Sequence, residues 1–224
     1  HLPHHLPHHL PHHLPHHHRH RLAQPEIEEK KTALIKKCNT EGRLALGGCE
    51  MLSRLHGTAL KLLAYELLLR NYPTWRKRLT LVQVCFPYSH SPDESSEVSR
   101  EIREVVARIK AEFGDAAVHY WEVGAELAKG QWTVNDRLAL FSISDVLLNT
   151  AMRDGLNLLP FEYVFTKSHL GSDGVCVLSE FVGCSHVLNA IIRVNPFNLE
   201  QIVEQLTAPE LAAQARRNLR VISP

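Results

Sequence analysis

Apolar runs and amphipathic stretches alternate along the chain from Gly42 onward. The apolar runs are short and largely unbroken, which is typical of strands buried on both faces of a sheet. They predict six strands, at Gly42–Gly47, Leu79–Phe86, Ala117–Trp121, Asp145–Asn149, Gly174–Ser179 and Ile191–Val194. Apolar positions three and four residues apart predict helices at Glu26–Cys38, Thr58–Asn71, Val98–Phe113, Asn135–Ser142, Leu158–Thr166, Gly183–Ala190, Leu199–Leu206 and Pro209–Leu219.

Alternating strands and helices are typical of an α/β fold with a parallel sheet covered on both faces. We therefore predict a Rossmann-like, doubly wound parallel sheet of about six strands. In such sheets, ligands bind beyond the C-terminal ends of the strands, where loops and helix N-termini meet. Residues that bind a ligand are therefore expected in the loops that follow the strands.

The first twenty residues differ from the rest of the chain. They contain 11 of the 16 histidines, in a His-Leu-Pro-His repeat whose regular prolines prevent a helix or a strand ladder. The segment has the means to chelate a transition metal incidentally, but a low-complexity tail or a wrongly assigned gene start is the favoured interpretation. The predicted organisation is a disordered tail over 1–23, a partial linker or helix over 24–41, and one ligand-binding domain over 42–224.

Composition narrows the function classes. The chain of 224 residues has 25 Lys and Arg against 24 Asp and Glu, so no basic surplus favours nucleic-acid binding. No apolar run approaches the roughly 18 residues that a membrane-spanning helix needs. The five cysteines lack CxxC spacing and favour buried thiols over a zinc site. No cofactor or metal is implied. Without a recognisable signal peptide, we expect a cytoplasmic fragment of a larger protein, since the chain begins with His.

Three loops after predicted strands carry polar or glycine-rich sequence: Gly47–Gly57, Arg153–Glu162 and Ser179–Ser185. The second is the most informative, because an Asp-Gly turn precedes a helix whose first backbone N–H groups are available to a diphosphate or to sugar oxygens. Glu162, one helical turn further, suits the paired hydroxyls of a ribose. The alternative is ordinary, since Asp-Gly is a common turn and Asn a common helix cap.

Together these loops resemble a known family. Arg153–Tyr163 (RDGLNLLPFEY) resembles the RDGMNLV..EY motif of trehalose-6-phosphate synthases, retaining glycosyltransferases of the GT-B class. Val177–Cys184 resembles their LSEF.G segment, and Val194–Phe197 their VNPW/Y segment. His56–Glu66 resembles their KG...KLLAxE helix. The four motifs occur in the family's order.

The resemblance implies a UDP-glucose site in the C-terminal domain of a two-domain enzyme that transfers glucose to glucose 6-phosphate. It implies that Asp154, Gly155, Leu156 and Asn157 face the glucose hydroxyls, that the backbone N–H groups of Leu158 and Leu159 lie near the diphosphate, and that Glu162 holds the ribose. His56 and Asp154 are the catalytic candidates by the same match. The family's N-terminal Rossmann domain is expected before Gly42 and its phosphatase domain after Pro224, so the chain alone is expected to be inactive.

The first loop departs from the family's GVDRLD..KG pattern. Met51 stands at the Arg position, Ser53 at the Asp position and His56 at the Lys position. A neutral Met does not stabilise a leaving diphosphate, and each lost cation costs on the order of 3 kcal/mol in the transition state. His56 stabilises the diphosphate only when it is protonated, which a nearby phosphate favours. Arg54, at a shifted position, is the candidate to replace the missing Arg. The family's PSR segment, which follows the second strand, is likewise altered, to Pro87-Tyr88-Ser89.

These departures leave more than one function class open. The first is the donor-binding half of a trehalose-6-phosphate synthase. The second is a catalytically inactive sugar-nucleotide sensor or scaffold, which Met51 and His56 favour. A pseudogene product or an error in the gene's delineation is the third. Leu156, in place of the usual Met, leaves the identity of the donor sugar open.

Overall fold

The computed structural model describes residues 21–124, 132–188 and 191–208. Six strands form one parallel sheet in the order β3-β2-β1-β4-β5-β6. They are β1 (Leu44–Leu52), β2 (Leu79–Pro87), β3 (Val118–Glu122), β4 (Val146–Asn149), β5 (Val175–Ser179) and β6 (Ile192–Val194).

In the described part of the chain, six α-helices accompany the sheet: α1 (Pro25–Cys38), α2 (Thr58–Asn71), α3 (Pro92–Phe113), α4 (Val134–Ile143), α5 (Leu159–Leu170) and α6 (Leu199–Thr207). Short 3-10 turns lie at Arg54–His56, Pro73–Trp75, Asp115–Ala117 and Gly183–His186. Helix ends follow local sequence rules. Thr133 and Asp136 form a reciprocal capping box at the start of α4, and Gly171 in the left-handed region ends α5.

Helices cover both faces of the sheet. On one face, α2, α3 and α6 pack on alternate strand residues such as Leu81, Val118 and Val177. On the other face, α1, α4 and α5 enclose the residues between them, including Val82 and Cys176. Because both faces are buried, the strands consist of nearly continuous apolar runs, as their sequences indicate. The predicted fold class, a Rossmann-like doubly wound parallel sheet, is confirmed.

Two local predictions are wrong. The residues Gly47–Leu52 were expected to leave the sheet as a loop, but they continue β1, so only 53–57 connect it to α2. The segment predicted as a helix at Gly183–Ala190 forms only a single 3-10 turn over Gly183–His186 within its described part. The predicted helix at Pro209–Leu219 and the histidine repeat up to His20 lie outside the described residues.

The region before β1 is structured where it is described. Helix α1 packs on α4, where Leu22 and Ile27 contact Leu138 and Ala139 in a small apolar cluster. Lys30 adds an ion pair of 2.7 Å to Asp136 at the start of α4. Residues 24–38 are thus part of the same packed unit as the sheet.

Within residues 21–124, 132–188 and 191–208, no helix is long and apolar enough to cross a membrane. The same residues contain no group of three or more His, Cys, Asp or Glu side chains placed to hold a metal ion.

Candidate functional site

The strand order changes direction between β1 and β4, and the loops after these two strands meet at that point. The N–H of Met152 donates to the carbonyl of Leu55 at 2.8 Å, and the Thr150 hydroxyl donates to the carbonyl of Gly57 at 2.9 Å. The sequence from Ser53 to Gly57 is thus joined directly to the start of the second loop. We call this C-terminal end of β1 and β4, with its two loops, the switch-point edge.

Gly57 allows this close approach. It has φ of 65°, in the left-handed region, and a Cβ at this position would overlap the carbonyl oxygen of Thr150. A larger residue would separate the two loops, so glycine here holds the start of α2 against the end of β4.

The turn after β1 is fastened to α3. Glu94 accepts hydrogen bonds from the Ser53 hydroxyl at 3.1 Å and from the N–H of Arg54 at 2.9 Å. The backbone N–H of Arg54, followed by the Ser53 hydroxyl, holds the pKa of the Glu94 carboxyl below its usual range. Ser53 stands where the trehalose-6-phosphate synthase motif has Asp, and here its hydroxyl holds the turn against Glu94.

Arg54 is engaged along α3. Its guanidinium forms ion pairs with Glu97 at 3.3 Å and Glu101 at 3.4 Å. Its side chain is 56% exposed, and such pairs contribute at most about 1 kcal/mol. The predicted substitution of Arg54 for the cation missing at Met51 therefore requires it to leave these two carboxylates, at a small cost.

Two polar atoms at the start of α2 have no hydrogen-bond partner among the described residues. They are Nδ1 of His56 and Oγ1 of Thr58, both enclosed. The first backbone N–H groups of a helix also lack intrahelical partners and attract anions. His56, the position predicted to face the diphosphate, thus lies beside a helix N-terminus at the switch-point edge.

The second loop is tied to the turn after β5. Asp154 forms a parallel bridge with Val182, and its carbonyl accepts from the N–H of Gly183 at 3.0 Å. A Cβ on Gly183 would overlap the carbonyl oxygen of Gly155, so glycine is required at this contact as well. Asp154 and Gly155 are held by these backbone contacts, and the Asp154 side chain takes part in none of them.

Asn157 is buried, and its Oδ1 accepts from the N–H of Leu159 at 3.0 Å. This is the ordinary capping interpretation of the Asn, and it occupies one of the two N–H groups predicted to face a diphosphate. Helix α5 begins at Leu159, one or two residues later than predicted. For the N–H of Leu158 we find no hydrogen-bond partner in the described part of the chain.

Glu162 lies on the first turn of α5 and pairs with Arg137 of α4. The Arg137 Nε is 2.6 Å from Oε2, and its terminal nitrogen is 3.1 Å from Oε1. Burial alone would lower the pKa of Arg137, but the hydrogen bonds and charge of Glu162 outweigh it and raise that pKa. Arg137 was not predicted from the sequence, because 25 residues separate it from Glu162 and no motif contains it.

Several large apolar side chains at the C-terminal ends of the strands are exposed. Leu156 is 77% exposed, Phe197 61% and Met51 46%. Phe181 and Phe197 contact each other with ring centroids 6.1 Å apart. Such a concentration of exposed apolar groups is typical of a surface that meets a ligand or another domain.

Comparison with known proteins decides the family. The sequence profile of glycosyltransferase family 20 matches residues 15–220. The chain belongs to this family. A UDP-forming alpha,alpha-trehalose-phosphate synthase of Arabidopsis thaliana is 30% identical over 89% of the chain, and the Schizosaccharomyces pombe synthase is 31% identical over 86%. The resemblance to trehalose-6-phosphate synthases is thereby confirmed.

Solved structures agree with the fold. A UDP-forming synthase from Burkholderia xenovorans superposes with a TM-score of 0.75 at 26% identity over 92% of this chain and 46% of that one. The Candida albicans trehalose-6-phosphate phosphatase N-terminal domain has the same score and identity over 92% and 43%. The Escherichia coli protein bound with UDP-2-fluoro glucose, at 23% identity, shares the fold with a TM-score of 0.73.

The chain spans only part of these proteins. It covers 24% of the Arabidopsis relative, 37% of the fission yeast relative, and less than half of each solved chain described above. What this chain shares with these proteins is the family 20 fold.

Proposed function

We propose that this chain is the donor-binding part of a trehalose-6-phosphate synthase, an enzyme that transfers glucose from UDP-glucose to glucose 6-phosphate with retention at the anomeric carbon. In this proposal the full-length protein has a second Rossmann-like domain that carries the acceptor, and the phosphatase domain that the family resemblance implies follows the two. The location is cytoplasmic. The relatives named as UDP-forming synthases support the assignment.

One observation carries the proposal: the second loop of the switch-point edge. The run Asp154–Glu162 matches the family's donor motif and leads into the N-terminus of α5 at the point where ligands bind in doubly wound sheets. Asp154, Gly155, Leu156 and Asn157 face the sugar in this arrangement. Leu158 offers a backbone N–H to the diphosphate, and Glu162 accepts from the ribose hydroxyls.

Calorimetric titration of the 224-residue chain with UDP and with UDP-glucose tests the proposal. We expect saturable binding with a dissociation constant in the micromolar to millimolar range, as for a site with weakened diphosphate contacts. The variant Glu162→Gln removes the charged acceptor and is expected to weaken both ligands about tenfold or more, since charged hydrogen bonds contribute about 1.5–3 kcal/mol. Glu29→Gln, an exposed change on α1, is the matched control and leaves affinity unchanged. A folded chain that binds neither ligand contradicts the proposal.

The second candidate function is a sugar-nucleotide sensor or scaffold without transferase activity. Met51 favours it, because a neutral, half-exposed side chain stands where the family has an Arg that binds the diphosphate. The engagement of Arg54 by Glu97 and Glu101 favours it as well. Under this alternative the second loop still binds UDP-glucose, so binding alone does not separate the two functions.

A chimera separates them. The matching part of the fission yeast synthase is replaced by this chain, and UDP release that depends on glucose 6-phosphate is measured. The same chimera with Met51→Arg and His56→Lys provides the reference with both cations. An unmodified chimera within about tenfold of the reference supports the enzyme. A loss of about 10⁴-fold, two cationic contacts of roughly a hundredfold each, supports the sensor.

A further inference from the structure

The ion pair between Arg137 and Glu162 joins two helices beside the switch-point edge. Both carboxylate oxygens of Glu162 accept from Arg137, in the parallel two-bond geometry that guanidinium and carboxylate groups favour. The two side chains are 24% and 10% exposed, so the pair lies at the margin of the interior. Its geometry is therefore more restricted than that of a surface ion pair.

The backbone on each side of the pair is fixed. Helix α4 starts at the capping box of Thr133 and Asp136, one turn before Arg137. Helix α5 is anchored one residue after Glu162, where the Tyr163 hydroxyl lies 3.0 Å from the carbonyl oxygens of Ser144 and Asp145. With both helices held, the two bonds to Arg137 restrict where the Glu162 carboxylate points.

Pairing with Arg137 also changes the charge of the edge. A carboxylate alone repels a diphosphate, whereas a carboxylate joined to a guanidinium forms a neutral unit. An ionised carboxylate has about four acceptor positions, and the two bonds to Arg137 use one on each oxygen. Binding of the ribose hydroxyls would use further acceptor positions of the same carboxylate.

Building on the proposed function, we propose that Arg137 is a positioning residue of the ribose site. It orients the Glu162 carboxylate toward the 2′ and 3′ hydroxyls and offsets its charge next to the diphosphate. Arg137 acts through Glu162 and makes no contact with the transferred sugar. The competing interpretation is a purely structural tie between α4 and α5.

A comparison of two ligands distinguishes these roles. The full chain is titrated with UDP and with 2′,3′-dideoxyuridine diphosphate, which lacks both ribose hydroxyls. We expect the original chain to prefer UDP by about tenfold, a factor that a hydrogen bond to a charged group supplies. Arg137→Met is expected to abolish this preference, with weaker UDP binding and little change for the dideoxy ligand. Arg137→Lys keeps the positive charge but loses the two parallel hydrogen bonds of the guanidinium, so it is expected to retain part of the preference for UDP.

Lys30→Met is the matched control. It removes the ion pair between α1 and Asp136, whose side chains are 28% and 16% exposed and therefore similarly buried. This variant is expected to lower the melting temperature without changing the preference for UDP. If Arg137→Met weakens both ligands by the same factor, or leaves the preference intact, Arg137 is a structural tie only.

The titrations distinguish failure of the proposed donor site from failure of the proposed role of Arg137. A chain that binds UDP without any preference over the dideoxy ligand overturns the role of Arg137, while the proposed donor site stands. A folded chain that binds neither nucleotide overturns the proposed function and this inference with it. If Arg137→Met does not fold, Arg137→Lys decides, because an unreduced preference in that variant contradicts a role for the two-bond geometry.

Discussion

Among single residues at the switch-point edge, Met51 is the position where a substitution is predicted to raise ligand affinity. It is the second-last residue of β1, shortly before the turn that carries His56, and it is 46% exposed. We predict that Met51→Arg strengthens UDP binding about tenfold, because a new guanidinium there supplies one charge-assisted contact to a diphosphate. The gain decreases at high salt, as expected for a half-exposed charge. Calorimetry at low and high ionic strength measures both effects.

Two controls accompany Met51→Arg. Met51→Gln has a similar length without the charge, and we expect its UDP affinity to stay within about twofold of the original. Uridine lacks phosphates and is expected to bind the original and the Arg variant equally. An equal gain for uridine would show that the new side chain contacts the nucleoside, and would place the diphosphate elsewhere.

Lys167 gives a pH-dependent prediction. It is buried on α5, with its Nζ 3.0 Å from the carbonyl oxygen of Ser142, and burial lowers its pKa from 10.5 to about 8 despite the nearby charge of Asp145. Below pH 8, the folded protein carries the full cost of a buried ammonium. As the pH rises from about 8 toward 10.5, the folded state releases this proton before the unfolded state does, so the contribution of Lys167 to stability increases.

The measurement is a difference between two proteins. Urea unfolding of the original chain and of Lys167→Met is compared at pH 7 and pH 10, so that the titration of the cysteines cancels. We expect the free energy of unfolding of the original to gain about 2.5 kcal/mol relative to the variant over this interval. Parallel pH profiles would show that Lys167 has an ordinary pKa in the folded protein.

At the scale of elements, a buried polar network joins β1, β2 and α2. Lys61 of α2 donates to Glu50 at 2.7 Å and to the Gln83 side chain at 3.0 Å, and Gln83 donates to Glu50 at 2.5 Å. All three residues are buried. We predict that Lys61→Met destabilises the protein by about 3–5 kcal/mol, because it leaves the Glu50 charge without its cation in the interior.

The double variant Lys61→Met, Glu50→Gln tests the cause. Removing both charges is expected to recover most of the lost stability, since the cost comes from the unpaired carboxylate. Lys31→Met, which breaks an exposed pair with Glu28, changes stability by at most about 1 kcal/mol. Denaturant unfolding gives the free energy of unfolding of each of the three variants for comparison. A double variant as unstable as Lys61→Met would attribute the loss to packing.

The same network explains where the sequence was misread. The pair Gly47-Gly48 suggested the end of a strand, but a Cβ on Gly48 would overlap the Gln83 and Lys61 side chains, so glycine provides space for the network inside β1. Glu50 lies inside β1 although a charge is rarely buried, because Lys61 compensates it. Helical spacing gave the bounds of α2 and unbroken apolar runs located all six strands, since both signals are local. The pairing of Arg137 with Glu162 depends on tertiary packing, which no local pattern carries.

At the scale of the whole molecule, the proposed ligand contacts loops from both sides of the switch point. The turn after β1 and the loop after β4 are joined through Leu55, Gly57 and Thr150, so a nucleotide held there stabilises the sheet at its centre. A ligand that binds only the folded chain contributes about 2.7 kcal/mol at a concentration 100-fold above its dissociation constant. For a chain of this length, we predict a rise in melting temperature of about 5–10 °C with UDP.

The pattern across ligands and variants decides whether the switch-point edge is responsible. We expect Glu162→Gln to remove most of the UDP-dependent shift at the same concentration, because its acceptor is at the edge, whereas Glu29→Gln on the exposed side of α1 keeps the full shift. Glucose 6-phosphate, which the proposed function assigns to a second domain, is expected to shift the melting temperature by less than about 1 °C. A larger shift with glucose 6-phosphate than with UDP would identify this sheet as an acceptor domain and reverse the proposed roles of the two halves of the enzyme.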